Sequence, residues 1–154
     1  MDLFDGKMKL DVPEDFRCLS DEEKGCFFHG DVKPQVVLED EAGGQLALLL
    51  TDRMAQSIHL DSVCSDFYFL IQQRYPASFF LEKGRLKLQD ESLVWMDFQG
   101  NTITETKYYL LFLTTISGKL LIGLFQCAWN QMGKQKNRIL EILQGMIDVR
   151  DKTY

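Results

Sequence analysis

Polar and apolar residues alternate through Lys7-Met8-Lys9-Leu10-Asp11-Val12, the period of a half-buried strand, and Pro13 stops it. Ser20-Asp21-Glu22-Glu23 has capping-box spacing and predicts a short helix ended by Gly25, with Phe27 and Phe28 pinning this acidic segment to the core. Gln35–Glu39 and Leu46–Thr51 flank Asp40-Glu41-Ala42-Gly43-Gly44, which predicts a hairpin. From Asp61 to Tyr75 the period becomes helical, with Val63, Phe67, Leu70, Ile71 and Tyr75 on one face and Pro76 as the stop. Phe79–Glu82 and Arg85–Gln89 read as short strands joined by a turn at Lys83-Gly84. Leu93–Gln99, Thr104–Thr115 and Lys119–Cys127 read as a meander with turns at Gly100-Asn101 and Ser117-Gly118. A last helix, capped by Asn130 and running to about Asp148, carries the stripe Ile139, Ile142, Leu143, Met146 and Ile147.

Three segments break the alternation expected of a strand with one wet face. Leu46–Leu50, Tyr108–Leu113 and Leu120–Phe125 are nearly continuous apolar runs, the last interrupted by Gly123, so their strands are expected to be covered on both faces. Hairpin connections make the sheet antiparallel, and the two long helices are there to cover it. The expected class is α/β of the α+β type: an antiparallel sheet of six to seven strands between helices, not the crossover-linked parallel sheet of nucleotide-binding folds.

The 154 residues suit a single domain over 1–154, and a hydrophobic fraction of 45% against 26% charged residues sets disorder aside. The apolar runs are far short of the roughly 20 residues of a membrane helix, and the N-terminus lacks the basic and apolar regions of a signal peptide. Unless a targeting segment has been removed, the protein is expected to stay in the cytoplasm. Cys18, Cys26, Cys64 and Cys127 are widely spaced and expected to be reduced. The net charge of −6 is uneven: residues 1–41 carry 12 acids and 5 bases, the remainder 11 acids and 12 bases. An acidic N-terminal third argues against nucleic-acid binding and is compatible with a basic partner.

Several phrases resemble the PsbP/Mog-type α/β/α sandwich, and within it the small intracellular bacterial DcrB-like proteins. They are Leu3-Phe4-Asp5-Gly6-Lys7, Val12-Pro13-Glu14-Asp15-Phe16, Ser20-Asp21-Glu22-Glu23, Lys33-Pro34-Gln35-Val36-Val37 and Gly118-Lys119-Leu120-Leu121-Ile122-Gly123-Leu124-Phe125. They span nearly the whole chain, but they are strand entries, caps and turns, not catalytic motifs. The resemblance implies the sandwich fold and an accessory role: members assist a photosynthetic complex, bind a small GTPase or chaperone secreted effectors. Exported and lipidated members' roles do not transfer, because this chain shows neither an export signal nor a lipobox.

Candidate chemistry is sparse. A metal site would gather Cys18, Cys26 and His29 with His59 or Cys64, but Cys26-x-x-His29 is the only close pair and structural zinc sites normally use two. A cysteine–histidine dyad would need His29 or His59 beside Cys26, Cys64 or Cys127. The acids Asp21/Glu22/Glu23 and Glu39/Asp40/Glu41 lie in polar turns, not in the apolar setting that raises a catalytic pKa. No phosphate-loop spacing occurs. No catalytic, metal or cofactor site is therefore assigned, and the protein is expected not to be an enzyme. Two surface features remain. Lys134, Lys136 and Arg138 stand near the start of the last helix, where the macrodipole disfavours cations; they mark either an anionic contact or a face turned to the acidic N-terminal third. Trp95 and Trp129, with Tyr108 and Tyr109, are either interface anchors or core residues of the sheet. The candidate partner surface is thus Trp95, Tyr108, Trp129, Lys134, Lys136 and Arg138, using a sheet edge or the groove beside a helix. A protein partner is expected, with no nucleic acid and no membrane, and a meander edge could pair with a second copy. The alternatives are a chaperone for a secreted or toxin-type client, and an enzyme or small-ligand binder with a pocket between sheet and helix.

Overall fold

A computed structural model describes residues 1–24, 33–56, 59–89 and 91–149. Its strands are β1 (Asp2–Leu3), β2 (Met8–Lys9), β3 (Arg17–Cys18), β4 (Val36–Glu39), β5 (Gln45–Met54), β6 (Phe79–Lys87), β7 (Ser92–Asn101), β8 (Thr106–Ile116), β9 (Lys119–Ala128) and β10 (Ile147–Asp148). The helices are α1 (Leu60–Arg74) and α2 (Met132–Gln144), the second preceded by a 3₁₀ turn at Trp129–Gln131. Seven strands form one antiparallel sheet in the order β3-β4-β5-β9-β8-β7-β6, and β1, β2 and β10 form a small three-stranded sheet.

The continuous apolar runs have the cause expected of them. Along β7, β8 and β9, Trp95, Tyr108, Leu110, Phe112, Leu121 and Phe125 point to one face, where they pack with Ile139, Ile142 and Leu143 of α2 and with Leu3, Met8, Leu10 and Phe16. The intervening Val94, Met96, Phe98, Leu111, Leu113, Leu120 and Leu124 point to the other face, against Leu60, Val63 and Ile71 of α1. Both faces are dry, so both parities are apolar. The sheet is an antiparallel layer between helices, as the pattern implied.

Gly123 is the gap in the β9 run because it lies directly across from Phe112. A Cβ there would fall 1.9 Å from Phe112 Cζ, so the ring occupies the side-chain space of its cross-strand neighbour. Ser117 and Gly118, with φ of 53° and 75°, make the tight left-handed turn of the β8–β9 hairpin.

Local readings fail where tertiary contacts override them. Ser20–Glu23 is a hydrogen-bonded turn, not a helix: the Glu23 carboxylate accepts from the Ser20 N–H at 3.0 Å, one half of the capping box, and Arg17 and Lys24 claim the acids of the segment. Gly25, Phe27 and Phe28 lie outside the described residues. Lys83-Gly84 is no turn. β6 runs through it, and Gly84 is required because the Trp95 indole lies over it, 2.8 Å from where a Cβ would stand. The β7–β8 connection is Thr102–Glu105, where Thr102 N–H donates to the Glu105 carbonyl, and Gly100 stays in the strand beneath the Tyr109 ring. Asn130 does not cap α2, whose N-cap is Gln131 and which stops before Gly145; the chain then pairs β10 with β2 and leaves Ile147 exposed.

Candidate protein-binding groove and the buried network opposite it

The α2 bases that stood out in the sequence turn inward. Lys136 Nζ sits 2.8 Å from Asp97 Oδ2 and 3.5 Å from Glu82 Oε1, over the Trp95 ring at 5.1 Å from its centroid. Asp97 is fully buried. It also accepts the Tyr108 hydroxyl at 2.6 Å and the Glu82 N–H at 2.8 Å. That N–H is available because the β6–β7 register shifts between Phe80 and Lys83, leaving Leu81 and Glu82 opposite Asp97. Burial, and then the bond to Asp97, hold the Tyr108 phenol far above its ordinary value.

A second carboxylate lies beneath the same helix. Asp40 accepts Gly44 N–H and Gln135 Nε2–H, each at 2.7 Å, and Arg138 Nη1 stands 3.8 Å away. Arg138 also pairs with Asp15, whose carboxyl it holds below the usual range, and covers the Phe16 ring. Arg138 therefore faces the acidic N-terminal third, while Lys136 faces a carboxylate of the sheet. These contacts join α2 to the sheet and the N-terminal segment. Trp95 and Tyr108 are buried and Trp129 half-buried, so the six-residue candidate surface is not one surface. Of the six, Lys134 alone is exposed. The reason is elementary: a helix with cations near its start needs counter-charges, and the fold supplies them from below.

The opposite face carries a different arrangement. β6 is the last strand of the sheet, and its outer edge pairs with no strand among the described residues. Beside it, α1 presents Phe69 at 63% exposure with Tyr68 and Leu70, while β6 presents Phe79 at 61% and Leu81 at 41%. Between helix and strand runs a half-open groove of about 550 Å³, with Asp61, Cys64, Tyr68, Phe69, Leu81 and Lys83 in its walls. Its apolar end rests on a chain of ring contacts. Tyr68 contacts Phe69 edge-on at 5.7 Å and Phe80 at 4.3 Å; Phe80 contacts Phe98 at 5.3 Å, and Phe98 stacks on Tyr109 at 5.2 Å. The other end is polar, with Arg85 paired to Asp61. Burial, reinforced by Asp61, pushes the Cys64 thiol up, which leaves it protonated and weakly nucleophilic at neutral pH.

The remaining candidates do not assemble. His59 is the exposed N-cap residue of α1, Cys18 lies on β3, and Cys127 is buried in β9 with its thiol pushed up to about 12 by burial and Asp40. Cys26 and His29 lie outside the described residues. Among the described residues no three His, Cys, Asp or Glu side chains gather as a metal site would require, and no helix is long and apolar enough to cross a membrane.

The sequence held a signal for the groove that periodicity alone misses. Phe67, Tyr68, Phe69, Leu70 and Ile71 are five consecutive large apolar residues, and a helix turning 3.6 residues per turn cannot press all five onto one sheet. Ile71 is buried, whereas Leu70, read as part of the buried stripe, faces solvent with Tyr68 and Phe69.

No protein-family model matches the chain, and no curated protein matches it in sequence. Solved structures do match. Cyanobacterial PsbP (CyanoP) from Synechocystis sp. PCC 6803 superposes with a TM-score of 0.64 at 10% identity, covering 97% of this chain and 91% of that one. LpqN of Mycobacterium tuberculosis, described as involved in cell envelope biogenesis, gives 0.59 at 11% identity over 90% of this chain and 81% of its own. The protein of unknown function PA94 from Pseudomonas aeruginosa gives 0.56 at 8% identity over 95% and 100%. At these identities the likeness is one of fold: the chain has a PsbP-like fold.

Proposed function

We propose that this protein is a non-enzymatic accessory module that binds another protein along β6 and the groove beside α1. One observation carries the reading: an open strand edge lies directly beside a cluster of exposed aromatic and aliphatic side chains. Hydrophobic side chains held in water by an aromatic stack contribute little to folding, and such patches mark interaction sites on soluble proteins. The groove's thiol is protonated, which suits a wall better than a nucleophile. Free cysteines at Cys18, Cys64 and Cys127 fit a reducing compartment, and we place the protein in the cytoplasm on that basis.

The test is a photo-crosslinking amino acid placed at Phe69 and, as a control, at Lys134 on α2, with irradiation in cells of the source organism. The expected result is a discrete adduct from position 69 alone that disappears with Leu81→Asp. Equal labelling from both positions, or none from 69, would overturn the reading. If the adduct is made with a secreted or toxin-type protein, the module is that client's escort. A second reading is favoured by the groove's volume, which suits a small apolar ligand. Native mass spectrometry of the gently purified protein would show it as a bound mass lost on Phe69→Asp.

A further inference from the structure

We propose that the segment bound at β6 is acidic as well as apolar, and that it adds to the sheet as an extended strand alongside Lys83–Lys87. This rests on the protein-binding reading above and names the chemistry of the partner.

The charge of this protein is divided between the two edges of its large sheet. At one edge, β3 and β4 and the turns beside them carry Glu14, Asp15, Asp21, Glu22, Glu23, Glu39 and Glu41, with Arg17, Lys24 and Lys33 as the bases. At the opposite edge, β6 carries Lys83, Arg85 and Lys87, all exposed, and its one acid, Glu82, turns to the α2 side of the sheet, 3.5 Å from the Lys136 that Asp97 also holds. Arg85 is matched by Asp61. Among the described residues, Lys83 and Lys87 have no ion-pair partner. The local field at the open edge is therefore positive on a protein whose net charge is −6.

Strand spacing tells what could lie there. Lys83, Arg85 and Lys87 stand two residues apart, so they share one face of β6, and the Arg85–Asp61 pair fixes that face as the α1 side. The same face leads into the apolar end of the groove past Leu81 and Phe80. An added strand would meet outward backbone N–H and C=O groups along Lys83–Leu86, while the Lys87 carbonyl already accepts from Gln144 Nε2 at 2.6 Å and marks the end of the open edge. Its acids would sit beside two unpaired lysines, and an apolar residue beyond them would reach Tyr68 and Phe69.

A second copy of this chain fits poorly. Antiparallel pairing of two β6 strands about Lys83 sets the two Lys83 side chains against each other, and pairing about Arg85 sets Lys83 against Lys87; like charges directly opposite are destabilising. The acidic edge of another copy offers only the two-residue β3, one of whose residues is Arg17. Unpaired edge lysines are a recognised guard against self-pairing, and the same lysines favour an acidic stranger.

The experiment pans a display library of random linear peptides against the intact protein and against its Lys83→Glu/Lys87→Glu variant, with the fold of each checked by circular dichroism. The wild type is expected to enrich peptides that combine net negative charge with an aromatic or large aliphatic residue. The enriched peptide should bind the variant at least tenfold more weakly, and the variant should select basic peptides instead. Methylating alternate backbone nitrogens of the enriched peptide should abolish binding if it docks as a strand. Enrichment with no charge bias, indifference to the charge reversal, no enrichment at all, or concentration-dependent dimerisation through β6 would each overturn the proposal. The crosslink from Phe69 is a separate readout. If it forms while the library yields no acidic peptide, the protein-binding reading stands and the acidic-strand inference falls.

Discussion

Lys136 of α2 and Asp97 of β7 form a buried ion pair, Nζ to Oδ2 at 2.8 Å, at the point where the helix meets the sheet. The pair is embedded: Tyr108 and the Glu82 N–H hold the same carboxylate, and the Trp95 ring lies under the ammonium. A carboxylate out of water must be fully satisfied, and losing it strands several partners at once. Asp97→Ala is expected to destabilise the protein by about 3–5 kcal/mol, in line with breaking a buried pair by removing one partner. Tyr108→Phe, which removes one bond to a charged group, should cost about 1.5–3 kcal/mol. The double variant should fall short of the sum, because both changes remove the same hydrogen bond. Urea unfolding of the three variants measures this, and strict additivity would contradict a shared network.

Most of the fold was legible because burial on both faces leaves a mark no surface strand carries: Tyr108–Leu113 and Leu120–Phe125 run apolar at both parities, and α1 on one face and α2 on the other are what cover them. The readings that failed share a cause. Gly84 and Gly100 look like turn glycines, yet each lies within a strand because an aromatic ring, Trp95 or Tyr109, crosses it from the neighbouring strand, and no local pattern encodes that approach. The candidate site went the same way. Lys136 and Arg138 were visible as misplaced cations, but their counter-charges Asp97 and Asp40 lie 39 and 98 residues away in sequence, so which side they faced was a tertiary fact. The groove residues Tyr68, Phe69 and Leu81 were hidden by the assumption that apolar means inward.

Alkaline pH should weaken the protein through two buried groups of its core. The Cys127 thiol is pushed from 9.0 to about 12 and the Tyr108 phenol is raised further, both chiefly by burial. Each keeps its proton in the folded state at pH values where the unfolded chain has lost it, so stability is complete below pH 9 and declines as the pH rises toward 12. Thermal unfolding at pH 8 and pH 11 should show a drop in Tm for the wild type. Cys127→Ala, though less stable at pH 8, should lose less on going to pH 11. A parallel shift of both proteins would sink the assignment.

Exposed groove residues should be separable from the stack that supports them. Phe69 is 63% exposed, and Phe69→Ser is expected to change stability by no more than about 0.5 kcal/mol, as at most surface positions. Phe98 is buried between Phe80 and Tyr109, and Phe98→Ala should cost about 3–5 kcal/mol. Comparing denaturation midpoints decides the matter. A large loss from Phe69→Ser would mean that the residue serves the fold and is not held out for a partner.

Gly123 offers the sharpest packing test, because its reason for being glycine is one ring. With Phe112 Cζ 1.9 Å from the site of a Cβ, Gly123→Ala demands that the Phe112 ring or the β8–β9 pairing shift. Both residues lie in the central strands, where the sheet is covered on both sides and the ring has packed neighbours in every direction. Overpacking of this kind costs about 1–3 kcal/mol. Phe112→Leu alone should also destabilise, by opening a void where the ring was. Together they should partly compensate, since the smaller leucine vacates the space that the new methyl needs. A double-mutant cycle read by denaturant unfolding should therefore give a favourable coupling of about 0.5–3 kcal/mol. Zero coupling would mean that the conflict is relieved by backbone movement and that the ring does not set the glycine requirement.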